Sequence, residues 1–123
     1  MNQTAPILVG QLENKVVWIR VGGKGDFQNS PQIKEYAERM IENGERRFVI
    51  DLEQCPVMDS TFMGTLTGIA RRLMPFEDGK LEVLNANERN QQLIRSLGLD
   101  NIFDLDAEGE CWQEERQIGR AHV

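Results

Sequence analysis

The chain has 123 residues, the size of one ordinary domain, and its 40% hydrophobic and 28% charged residues are the composition of a globular protein with a single core. Its formal net charge of −6 argues against nucleic acid and anionic lipid as main partners, because both are bound chiefly through Lys and Arg. An acidic surface suits a protein partner.

The first residues, Met1 to Pro6, lack the basic flank and apolar stretch of a signal peptide. No apolar run approaches the roughly 20 residues of a membrane helix, so the expectation is a cytoplasmic protein without direct membrane insertion. Cys55 and Cys111 are too few for a disulfide framework and form no C-x-x-C pair. The single histidine, His122, is one residue from the end of the chain, which leaves no sequence support for imidazole catalysis, a metal site or a cofactor.

Ile7 to Gln11 is weakly strand-like, Glu13-Asn14-Lys15 reads as a turn, and Val16-Val17-Trp18-Ile19-Arg20-Val21 is a strong β-branched and aromatic strand. An N-terminal hairpin is therefore predicted to open the fold. Gly22, Gly23 and Gly25 follow in a loop that carries Asp26, and then Ser30, read as N-cap, and Pro31, read as first helical residue, announce a helix. Ile33, Ala37, Met40 and Ile41 recur at helical spacing, with Gly44 as the stop.

Phe48-Val49-Ile50-Asp51-Leu52 is apolar without alternation, the pattern of a central strand covered on both faces. After residues 53–58 a second helix is expected to begin near Asp59 or Ser60, with Met63, Leu66, Ala70 and Leu73 as its buried stripe. Leu81 to Leu84 makes a third core strand, and strand, helix, strand in so few residues implies parallel strands joined by a crossover. Asn87 is placed to cap a last helix carrying Leu93, Ile94 and Leu97, ended by Gly98, before an edge strand or turn at residues 102–105. The reading is an α/β fold: a mixed, mostly parallel central sheet of four to five strands with helices packed on it. Residues 1–105 form the domain and 106–123 an acidic C-terminal extension.

The run Val49-Ile50-Asp51-Leu52, a short loop, Met58-Asp59-Ser60-Thr61, then Gly64 and an apolar helix resembles the strand, the Asp-Ser-Ser/Thr signature and the regulatory helix of the STAS domain. That family includes bacterial anti-sigma factor antagonists and the cytoplasmic tails of sulfate transporters. Gly23-Lys24-Gly25-Asp26 is similar to the family's Gly-Glu-Leu-Asp. The resemblance implies a regulatory protein that catalyses nothing itself. It also implies binding to an anti-sigma factor or a serine/threonine kinase of the anti-sigma type, and resetting by a serine phosphatase. It further implies that Ser60 is the phosphoacceptor, with Thr61 as the alternative. Two positions depart from the pattern: Phe62 stands where the family usually has glycine, and Gly25 where it often has an apolar residue. The expectation from these departures is a bulky ring on the partner-facing surface and a looser loop around Asp26.

The residue chemistry fits that role. A hydroxyl at a helix N-terminus lies near N–H groups without intrahelical partners and near the positive end of the macrodipole. Phosphate there adds about −1.5 to −2 charges beside Asp59 and Asp26. Thr61, Gly64, Thr65 and Gly68 lie three or four apart and share a small, smooth helix face. The predicted partner-binding set is Asp26, Asp59, Thr61, Phe62, Gly64, Thr65 and Gly68. Against it stand a plain helix cap at Asp59-Ser60, and internal close packing as the reason for the glycines. The alternative function is a constitutive STAS interaction subunit of a transporter or signalling complex, with Phe62 as an apolar anchor. The EF-hand-like spacing of Asp104, Asp106, Glu108 and Glu115 lacks an upstream helix, and Gly22-Gly23-Lys24-Gly25 lacks the spacing of a phosphate loop.

Overall fold

The computed structural model describes residues 7–11 and 16–106. Strands β1 (Ile7–Gln11), β2 (Val16–Val21), β3 (Arg47–Asp51), β4 (Lys80–Leu84) and β5 (Asp104–Asp106) form one sheet in the order β1-β2-β3-β4-β5. β1 pairs antiparallel with β2, and every later pair is parallel. The turn predicted at Glu13-Asn14-Lys15 lies outside the described residues. Helices α1 (Ser30–Glu42), α2 (Ser60–Leu73) and α3 (Glu88–Ser96) supply the crossovers. Gly44, at a φ of 100°, and Gly98, at 71°, adopt the left-handed conformation that ends α1 and α3.

Alternation along the strands sorts the side chains. Val17, Ile19, Val21, Phe48, Ile50, Leu81 and Val83 point to one face and join Ile33, Ala37 and Ile41 of α1, the stripe of α2, and Ile94 of α3 in one core. Val16, Trp18, Val49 and Leu84 form a second buried cluster on the opposite face. Leu97, predicted on the apolar side of α3, is its C-terminal cap and 56% exposed. At the end of β3 the fully buried Asp51 carboxylate accepts from the Glu53 N–H at 3.0 Å and the Asn85 side chain at 3.1 Å, and pairs with Arg20 at 3.5 Å. A buried charge needs such partners. Among the described residues no helix is long and apolar enough to cross a membrane.

Candidate functional site

β2 and β3 are parallel neighbours, so the loops that follow them leave the same end of the sheet and meet. The Gly23 N–H donates to the Gln54 carbonyl at 2.8 Å, the Gly25 N–H to Val57 at 2.9 Å, and the Asp59 N–H to Gly25 at 2.8 Å. Gly25 and Met58 form a parallel bridge. The loop around Asp26 is thus pinned, where the glycines alone predicted looseness. Asp26 accepts from the Gln28 N–H at 3.0 Å through Oδ1, and its carbonyl accepts from both the N–H and the hydroxyl of Ser30. This turn shifts the helix start: Asn29 is the cap, without a side-chain capping bond, and Ser30, predicted as the cap, is the first helical residue.

Asp59 joins the two loops. Its Oδ1 accepts from the Phe62 N–H at 2.8 Å and caps α2, while Oδ2 accepts from the Phe27 N–H at 3.0 Å. Asp59→Ala should therefore cost about 1–2 kcal/mol, the range for a lost helix cap with a further hydrogen bond. Asp59→Asn keeps one acceptor oxygen and should cost less than half as much. Urea unfolding of the three proteins checks this ordering.

Ser60 is the first residue of α2, and both it and Thr61 are exposed. Their side chains border different grooves. Thr61 lines a space of about 420 Å³ between α1 and α2 with Lys34, Glu38 and Arg72, the last two paired at 3.2 Å. Ser60 borders an apolar groove of about 370 Å³ with Met63, Leu97 and Leu99. Gly64 and Gly68 line both, and a Cβ at either would meet nothing within 4 Å. Internal packing therefore does not require these glycines, and the face they share with Thr61 and Thr65 is open. Gly64→Ala and Gly68→Ala should each stabilise the free protein by about 1 kcal/mol, read as a rise in Tm.

Phe62 is not part of that surface, and its place in the predicted set is corrected. The ring is 0% exposed. It lies on the buried stripe with Met63, Leu66, Ile69, Ala70 and Leu73, because position 62 is one turn before Leu66 and two before Ile69. The ring covers Gly25, whose ideal Cβ would fall 2.8–3.0 Å from its atoms. The helical spacing of Phe62 with Leu66 carried this signal in the sequence. Phe27 escaped sequence reasoning because it stands in a polar loop with no periodic partner; it is 62% exposed. Cys55 is a core thiol. It donates to the Val57 carbonyl at 3.3 Å, and burial pushes its pKa up to about 11.

The STAS domain model matches residues 10–112. The anti-sigma-B factor antagonist of Staphylococcus aureus (strain NCTC 8325 / PS 47) is 28% identical over 94 residues, which cover 76% of this chain and 86% of that one. Among solved structures, an anti-sigma factor antagonist from Mycobacterium paratuberculosis superposes with a TM-score of 0.76 at 19% identity, over 92% of this chain and 95% of that one. The Bacillus cell fate determinant SpoIIAA in its phosphorylated form gives a TM-score of 0.70 at 22% identity, over 88% and 97%. These structures share the fold. With the family match spanning most of its length, and with a pinned loop pair presenting a serine at the start of α2, the chain belongs to the STAS domain family.

Proposed function

We propose that this protein is an anti-sigma factor antagonist of the cytoplasm, switched by phosphorylation. With Ser60 unmodified it binds an anti-sigma factor that is also a serine kinase. The γ-phosphoryl group of ATP then passes to Ser60 Oγ as the hydroxyl loses its proton and ADP leaves, and the added charge ends the binding. A serine phosphatase restores the free hydroxyl with water as the acceptor. The observation that carries this reading is the exposed Ser60 at the N-terminus of α2, beside Asp59 and at the head of the open Gly64/Gly68 face. The antagonist relatives in Staphylococcus aureus and the phosphorylated state of SpoIIAA support it.

The alternative of a constitutive interaction subunit loses Phe62 as its apolar anchor, because the ring has 0% exposure. Incubation with the anti-sigma kinase of the same organism and MgATP, followed by intact-mass measurement, tests the switch. One phosphate is expected on the wild type and none on Ser60→Ala. Phosphate that persists on Ser60→Ala would move the acceptor to Thr61.

A further inference from the structure

Of the chain's five phenylalanines, Phe48, Phe62 and Phe103 are at most 2% exposed, and Phe76 lies beneath the Arg46 guanidinium at 3.7 Å. Phe27 alone leaves most of its surface, 62%, in water. Its backbone is held in place. The Phe27 N–H is bonded to Asp59 Oδ2 at 3.0 Å, the Gln28 N–H to Asp26 Oδ1 at 3.0 Å, and Gly25 is held on both sides by Val57 and Asp59. Aromatic rings are enriched at protein interfaces, and a group presented on a rigid backbone loses little entropy on binding.

The surroundings of the ring give the chemistry of what covers it. The Asp59 carboxylate is bonded to the Phe27 N–H and the Asp26 carboxylate to the Gln28 N–H, Lys24 is the cation of the same loop, and the chain as a whole carries −6. An exposed ring on a backbone held by two carboxylates is complementary to an apolar pocket with basic groups beside it. The same Asp59 carboxylate that fixes Phe27 caps the helix starting at Ser60.

We propose that Phe27 is the apolar anchor by which this surface grips its protein partner, the ring entering a basic-rimmed pocket on the anti-sigma kinase. The inference rests on the proposed function, and its test separates the two. Affinity for the same organism's anti-sigma kinase is measured by calorimetry in a Ser60→Ala background, where no phosphate can be added at that position. Adding Phe27→Ala should weaken binding at least about 30-fold, the range of interface hot spots, and leave Tm unchanged. Phe27→Leu should recover most of the affinity. The salt dependence of binding should stay the same in Phe27→Ala, because the lost contact is apolar. Undiminished affinity of Phe27→Ala while Ser60→Ala binds overturns the anchor alone. A matching drop in Tm, or an altered salt slope, also overturns it. If neither wild type nor Ser60→Ala binds, the proposed function fails and the anchor falls with it.

Discussion

Replacing Phe62 by alanine is expected to lower the stability of the free protein by about 3–5 kcal/mol, a large part of the 5–15 kcal/mol that holds a typical domain together. The ring has no solvent exposure and fills the space above Gly25. The two departures from the family pattern therefore compensate each other, with the volume absent at position 25 supplied from position 62. Gly25→Leu alone should also destabilise, by about 1–3 kcal/mol or more, since its Cβ would begin 2.8 Å from a ring boxed in by the core. The double variant Gly25→Leu/Phe62→Gly should be less destabilised than the sum of its single changes by at least about 2 kcal/mol, a coupling expected only of residues in contact. Chemical unfolding of wild type, Gly25→Leu, Phe62→Gly and the double variant decides the matter. Simple additivity would show that the two positions do not compensate.

The second large effect is on binding. Phosphate on Ser60 should reduce affinity for the anti-sigma kinase by at least about 100-fold, or about 2.7 kcal/mol, while Tm moves by only a few degrees. The first N–H groups of a helix welcome an anion, but Asp59 already occupies the Phe62 N–H, and the Met63 N–H goes to the Asp59 carbonyl. The new charge thus sits beside an existing carboxylate. The Ser60 side chain is exposed, so the added group enters solvent and not the core. Calorimetric titration of phosphorylated and unphosphorylated protein, with circular dichroism melting of each, checks both halves. Equal affinities would refute the electrostatic switch.

Much of the fold was legible in the sequence, because periodicity and punctuation acted together. Strand β2, the stripe of α2, the Asn87 cap and the Gly44 and Gly98 stops follow local rules, and the structure has them where those rules place them. The Asp59-Ser60 junction was legible for the same reason: a capping carboxylate directly before an apolar helix. The misreadings arose where distant segments touch. Nothing local tells that residues 23–25 bond to residues 54–59, so glycines that look loose are fixed and Asp26 displaces Ser30 as the organiser of α1. Likewise, the departure of Phe62 from the family pattern suggests a surface ring, whereas its spacing with Leu66 and Ile69 on the helix is that of the buried stripe. The exposure of Phe27 had no local signal, because a single aromatic in a polar loop has no period.

The sheet runs in the same order as the chain, β1-β2-β3-β4-β5, and this bears on the order of folding. Each strand can add to the one made just before it, but the parallel pairs β2–β3, β3–β4 and β4–β5 are each joined across a helix, and such long-range pairings form slowly. The ties between residues 23–25 and 54–59 join loops that β2 and β3 bring together by pairing. A kinase that required this paired-loop surface would therefore act only on molecules whose central strands are already in place.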